Sequence, residues 1–200
     1  MRAYQELLNV TGNNIANADT VAYKEDRVTF SDMFSRTLSQ GMRAGEDMGG
    51  TNPVQVGLGV RVASIDKNMS QGSFTATEKT FDMAVDGEGF FVVYDGTGYL
   101  YTRDGSFRVG PDGTIVNSQG YVLSPPITVP TDAAEISVGS DGTISVITPG
   151  SEPTVIGTIQ LVNFTNPAGL ASEGGNLFAE TVASGPPTTG TAGQNGFCLL

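Results

Sequence analysis

The sequence predicts a mainly β protein with an N-terminal α-helix, in which an antiparallel β domain built from short hairpins is flanked by that helix and by Gly-rich extended segments. Three observations predict it. Apolar residues recur at helical spacing near the start; from Val54 the recurrence switches to period two, with Asp-Gly dipeptides between the runs; and 27 Gly with 10 Pro in 200 residues favour turns and short strands.

The helix comes first. In "MRAYQELLNVTGNNIANAD", steps of three and four place Ala3, Leu7, Val10 and Asn14 in one column, with Tyr4, Leu8, Thr11, Ile15 and Ala18 in its neighbour. A helix of this extent runs for about 27 Å. Met1-Arg2-Ala3 offers no Ser, Thr, Asp or Asn to cap a first turn, so the helix is expected to begin mid-course, as in a truncated chain. Asn13, Asn14 and Asn17 crowd its other end, where Asn tolerates left-handed backbone and bonds to nearby main chain. Asn13 and Asn17 lie one turn apart beside Leu8 and Ile15, and amides at a helix seam also fix register. Stopping the helix and marking its register are compatible roles.

Residues 35–53, "SRTLSQGMRAGEDMGGTNP", carry Gly41, Gly45, Gly49, Gly50 and Pro53, which argue against regular structure. In "VQVGLGVRVASI", Val54, Val56, Leu58, Val60 and Val62 share one face, the pattern of a half-buried strand. Further strands are expected at 81–87, 89–95, 99–105, 106–110, 114–117, 121–124 and, in "TVIGTIQLVNF", at 154–164. The dipeptides Asp86-Gly87, Asp95-Gly96, Asp104-Gly105 and Asp112-Gly113 supply the positive backbone angles of tight hairpins. "VGPDGTIV" at 109–116 returns as "VGSDGTISV" at 138–146, one hairpin chemistry used twice rather than a solenoid. After Asn176 the chain turns to "ETVASGPPTTGTAGQNG", a Gly/Pro/Thr/Ser stretch that buries little and reads as a flexible connector. The divisions are a helix over 1–20, a turn and extended insertion over 21–53, an antiparallel β domain over 54–178 and the connector over 179–200.

A net charge of −11 repels phosphate backbones and anionic lipid, so nucleic acid is not an expected partner. No apolar run approaches the roughly 20 residues of a membrane span, so no membrane insertion is expected, and no cleavable signal pattern opens the chain. His is absent and Cys198 is the single cysteine, which removes His-based triads, Cys-His pairs, zinc sites and internal disulfides. Asp86 and Glu88 in "VDGEGFF" have the closeness of an acid–base pair, but carboxylates around two glycines are commonly turn residues. The Asp-Gly repeats lack both calcium-loop patterns, and neither a phosphate loop nor a nucleophile elbow occurs. Cys198 has no base to activate it. Hence no catalytic residue, metal, cofactor or small-molecule substrate is expected.

Three ordered blocks now coincide. "LNVTGNNIANADTVAYK", "SQGSFTATEKTFDMAVDGEGFFVV" and "YTRDGSFRVGPDGTIVNSQGYVL" cover most of residues 7–123 and resemble the recurrent blocks of the bacterial flagellar rod and hook proteins. The segment between "FSDMF" and "QVGLGVRV" has the length of a rod-type insertion, and "GLASEGGNLFAETVASGPP" also resembles the distal rod members of that family. Ala22 departs from it, standing where the family's T-x-G-[FY]-K turn carries Gly, so a different local backbone is expected there. The end at "NGFCLL" departs too, because the family continues into a second long helix.

The resemblance implies a structural subunit of the basal-body rod, exported without a cleaved signal. Its partners are further copies in a helical assembly and other rod and hook proteins. Leu7, Leu8, Val10 and Ile15 would then bury against neighbouring helices of the tube, while Asn13, Asn14 and Asn17 set register. A hook or proximal rod subunit is the nearest alternative. A secreted β-rich binding module using exposed aromatics such as Tyr99 and Tyr101 stays open, and an enzyme is third, since the nucleophiles lack a base.

Overall fold

The computed structural model describes residues 2–43, 49–150, 152–192 and the backbone of 197–199, and these divide into two compact units. One comprises the start of the chain to Asp19 and Lys24–Asn68; the other comprises Thr20–Tyr23 and the chain from Met69 on.

The first unit holds helix α1 (Arg2–Ala16), whose 15 residues span about 22 Å. It then holds strands β1 (Asp26–Asp32), β2 (Ser35–Ser39), β3 (Val54–Gly57) and β4 (Val60–Lys67). β1 pairs antiparallel with β4 and β2 with β3, and Met42 bridges Thr51 further out, so residues 26–42 and 51–67 pair as one long two-stranded ribbon. The glycines of 35–53 therefore do not prevent strands, since β2 and β3 form within or beside this stretch; Gly45 lies outside the described residues. Val54–Lys67, expected to open the β domain, pairs with 26–39 instead. Few of its alternating side chains are covered: Val54, Val56, Leu58 and Val60 are exposed and Val62 is half-buried.

The second unit is built from β5 (Val85–Gly87), β6 (Phe90–Tyr94), β7 (Tyr99–Thr102), β8 (Arg108–Val109), β9 (Ile115–Val116), β10 (Val122–Leu123), β11 (Glu135–Val138), β12 (Thr143–Ile147), β13 (Thr154–Thr158), β14 (Gln160–Asn163), β15 (Ala171–Gly174), β16 (Leu177–Ala179), β17 (Thr188–Thr191) and β18 (Phe197–Leu199). The largest sheet runs β15-β16-β7-β6-β10-β9-β8, with β14 joining β6 to β17. β11, β12 and β13 form a second sheet, and β18 pairs with β5. All the pairings are antiparallel, as expected of hairpins.

β6 is the hub. It pairs with β7 along one edge and with β10 and β14 along the other. Its run "FFVV" is buried throughout: Phe91 and Val93 enter a core with Phe107, Ile115, Leu123 and Leu161, whereas Phe90 and Val92 enter another with Tyr101, Val162, Phe164 and Phe178. A continuous apolar run is the mark of a strand buried on both faces. Residues 154–164 divide at buried Ile159 into strands of two different sheets. In the stretch expected as a connector, β17 pairs with β14 and Ser184 is fully buried.

Two of the Asp-Gly turns share one bonding device. Asp95 Oδ1 accepts from the Gly98 and Thr97 amides, both at 2.7 Å, and Asp141 Oδ1 accepts from the Thr143 hydroxyl at 2.7 Å and its amide at 3.1 Å. These bonds hold both carboxyls below the usual aspartate range. Gly96 between β6 and β7 has the expected positive φ, +99°. Gly105 does not use that freedom; a β-carbon there would run into the Met83 carbonyl oxygen, so close approach requires the glycine.

Ala22 has φ +60°, the left-handed conformation in which glycine is favoured, so the local backbone does not depart from the glycine geometry. Alanine at such a position carries about 1 kcal/mol of strain. Ala22→Gly should therefore raise unfolding free energy by about 1 kcal/mol in thermal or denaturant melts; an unchanged or lowered midpoint contradicts the strain.

Candidate functional site

Helix α1 presents two adjacent apolar columns with heptad-like alternation of four- and three-residue steps. Ala3, Leu7, Val10, Asn14 and Asn17 are buried or half-buried, on a helix that packs against β1 and β4. Tyr4, Leu8, Thr11 and Ile15 form the other column and are exposed: 63% for Tyr4, 70% for Leu8 and 71% for Ile15. One column is thus spent largely within the chain and the other faces water. A single exposed leucine is ordinary, but Leu8 and Ile15 lie two turns apart in one stripe, which is the form of a helix seam.

The asparagines decide how the helix is held. Asn14 Nδ2 donates to the Asp26 carbonyl oxygen at 2.9 Å, and its Oδ1 accepts from the Asp26 amide at 3.1 Å. The side-chain amide thereby satisfies both backbone groups of the residue that opens β1, a pairing only Asn or Gln offers. The Asp26 carboxylate in turn receives Lys67 Nζ from β4 at 2.8 Å. Asn17 Nδ2 donates to the Asn13 carbonyl at 2.9 Å and to its Oδ1 at 3.1 Å, and the Asn17 amide bonds the same carbonyl, closing the last turn. Of the seven residues expected at an assembly face, Leu8, Asn13 and Ile15 are exposed, whereas Leu7, Val10, Asn14 and Asn17 are half-buried on the side facing the chain's own ribbon.

Gly12 escaped the sequence reading. A β-carbon there would meet nothing within 4 Å, so the chain's own packing does not require this glycine. Within a helix it costs about 1 kcal/mol relative to alanine. Its signal lay in the sequence: it stands four residues after Leu8 and three before Ile15. The ring of Tyr4 meets Phe30 of β1 at 6.2 Å between centroids, and Phe34, at the break between β1 and β2, is 90% exposed.

Asp86 is exposed in β5. Glu88 Oε2 accepts from Asn163 Nδ2 at 2.8 Å. Arg103 lies 5.0 Å over the Phe90 ring and donates to the Gly87 carbonyl at 2.7 Å; burial lowers its pKa, opposed by the charge of Glu88. Of the aromatics suggested for a binding module, Tyr99 is exposed, but Tyr101 is buried edge-on to Phe164, 4.8 Å between centroids, because the segment after β14 covers its end of the sheet. The Cys198 side chain lies outside the described residues. No helix among the described residues is long and apolar enough to cross a membrane.

Residues 1–24 match the family described as flagella basal body rod protein, and residues 84–146 match the flagellar hook protein FlgE/F/G D1 domain. The chain is 42% identical over 200 residues to the flagellar basal-body rod protein FlgG of Bacillus subtilis, covering 98% of this chain and 75% of that one. It is 38% identical to FlgG of Caulobacter vibrioides, covering 100% of this chain and 78% of that one. Against the flagellar hook protein FlgE of Borreliella burgdorferi it is 46% identical, over only 58% of this chain and 26% of that one.

Replacing Asn14 with Ala removes both bonds to Asp26. The expected loss is about 1 to 3 kcal/mol of unfolding free energy, with faster hydrogen exchange at the Asp26 amide. A melt within about 0.5 kcal/mol of the parent, with that exchange unchanged, contradicts the clamp.

Proposed function

The chain belongs to the flagellar basal-body rod proteins, and from that membership we propose that it builds the distal rod by packing the exposed column of α1 against helices of neighbouring subunits. The observation that carries this reading is the pairing of the two columns. Leu7 and Val10 are used largely inside the chain, while Tyr4, Leu8 and Ile15 repeat the same spacing and stay largely exposed, Tyr4 meeting the Phe30 ring at one edge.

The physical case is one of area and approach. Full burial of an aliphatic or aromatic side chain is worth about 1.5 to 3 kcal/mol, so Tyr4, Leu8 and Ile15 supply a useful driving force once α1 meets another helix. Gly12 between them lets a second backbone come close, which offsets its cost to the isolated helix. Steps of four and three suit packing at a crossing angle of about 20°. Asn13 stands exposed beside this stripe and marks its register. A face that meets a different face on the next copy propagates instead of closing, and a tube follows if the rotation is helical.

On this reading the partners are further copies of the chain and the adjoining rod and hook proteins. The place of action is the basal body, reached by export without a cleaved signal, and the contribution to motility is mechanical: a stiff axial element that transmits torque. No catalytic step is part of it.

Ile15→Asp in the full-length subunit tests the reading. A carboxylate in a closed helix seam is left unpaired and desolvated. Rods are expected to stop forming while the melting of the β unit stays at the parent value; rods of normal length and number contradict the proposal.

A further inference from the structure

The echo between residues 109–116 and 138–146 gives two turns that share one backbone and differ in one side chain. In the first, the Gly110 amide donates to the Thr114 carbonyl at 2.7 Å and the Gly113 amide to the Gly110 carbonyl at 3.0 Å. In the second, the Gly139 amide donates to the Thr143 carbonyl at 2.8 Å and the Gly142 amide to the Gly139 carbonyl at 2.9 Å. Gly113 and Gly142 have φ of +74° and +79°, and each carbonyl accepts a 2.8 Å bond from a distant amide, that of Val129 in one turn and of Ile159 in the other.

The aspartates do not match. Asp141 Oδ1 is held by the Thr143 hydroxyl and amide, and its carboxylate folds back over the turn, so that a β-carbon at Gly139 would run into Asp141 Oδ1 and Thr143 Oγ1. Asp112 is exposed, and nothing among the described residues bonds its carboxylate. The three atoms nearest a β-carbon at Gly110 belong to Thr114 and Val116 instead. Pro111 stands where the second turn has Ser140. The remaining Asp-Gly pairs are held as well. Asp95 bonds its own turn, Asp104 Oδ1 accepts from the Ser106 amide at 3.0 Å, and Asp86-Gly87 lies in β5 beside β18, with the Gly87 carbonyl bonded to Arg103.

We propose that Asp112-Gly113 is a site of spontaneous conversion to β-linked aspartate, and that the Thr143 bonds spare its twin at Asp141-Gly142. The Gly113 nitrogen forms a bond to the side-chain carboxyl carbon of Asp112, and its proton leaves with the carboxyl hydroxyl as water. Water then reopens the succinimide. Addition at the α-carbonyl breaks the original C–N bond and leaves the chain running through the side-chain carbon; addition at the other carbonyl restores aspartate. One water leaves and one returns, nothing is oxidised or reduced, and no co-reactant is needed. A glycine on the C-terminal side has no side chain to obstruct the attack. The neutral carboxyl is the electrophile, and a carboxylate is a poor one. At Asp141 the two bonds favour the ionised form and hold the side chain away from the Gly142 nitrogen. The Gly113 amide must first leave the Gly110 carbonyl, but Gly142 must leave Gly139 in the same way, so this requirement slows both sites and separates neither. The product turn carries one extra backbone atom, which moves the Gly113 carbonyl from its place opposite the Val129 amide. The reaction needs no neighbouring copy, so it does not depend on the rod reading.

The test ages the folded full-length chain in mildly acidic buffer and reads β-linked aspartate position by position, by electron-transfer fragmentation of its peptides. Conversion at Asp112 is expected to run at least about tenfold faster than at Asp141, the order of effect set by two bonds to a charged group. In denaturant the two rates are expected to converge. Thr143→Val, which removes the hydroxyl donor, is expected to raise conversion at Asp141 and leave Asp112 unchanged. Equal rates in the folded chain, or an Asp112 that does not convert, overturn the proposal. A difference that persists in denaturant traces to Pro111 and overturns the protection by Thr143, as does an Asp141 rate unmoved by Thr143→Val. Hydrogen exchange at the Val129 amide is expected to be faster in the converted fraction; unchanged exchange contradicts the displaced carbonyl.

Discussion

Two hydrogen bonds between one side-chain amide and one backbone residue set the character of the first unit. By satisfying both the N–H and C=O of Asp26, Asn14 locks the end of α1 to the start of β1 and fixes which side of the helix meets the ribbon. Turned by about one residue, some 100°, the helix would bury Leu8 and Ile15 and expose Leu7 and Val10. The two columns are similar in hydrophobicity, so apolar burial alone discriminates weakly between them. A directional pair of bonds does discriminate, which is the general use of a polar group at an apolar contact. The exposed column is then a consequence of the clamp rather than a defect of packing.

The second unit answers a different constraint. β6 is buried on both faces, so its four apolar residues organise two cores at once, and the turns at its edges are fastened by side chains rather than by core contacts. Asp95 and Asp141 show how a short hairpin in a Gly-rich, acidic sequence is kept in shape: each carboxylate accepts bonds from its own turn.

What the sequence disclosed follows from the range of the interactions concerned. The helical columns, the period-two run from Val54 and the "FFVV" strand were legible because periodicity is local. Which column the chain covers itself was not, because the answer lies in Asp26, twelve residues beyond Asn14. Alternation at 54–62 identified a strand but not its neighbour, and the helix that packs on β1 and β4 leaves Val54, Val56 and Leu58 exposed. Gly41 and Pro53 suggested irregular chain, yet they stand just outside β2 and β3, which end at Ser39 and begin at Val54. Tyr99 and Tyr101 share a face by alternation, but Phe164, from a distant segment, covers only Tyr101. Gly12 was visible and unread, since a helical glycine acquires meaning only when its surroundings prove empty.

The most direct test of the central claim is the solvent access of position 15 in two states of one full-length chain. With Cys198→Ser and Ile15→Cys, maleimide labelling should be rapid in the soluble subunit and at least tenfold slower in isolated rods, the order of protection expected when a side chain passes from 71% exposure into a packed seam. Equal labelling in both states, or slow labelling already in the soluble subunit, would contradict the account.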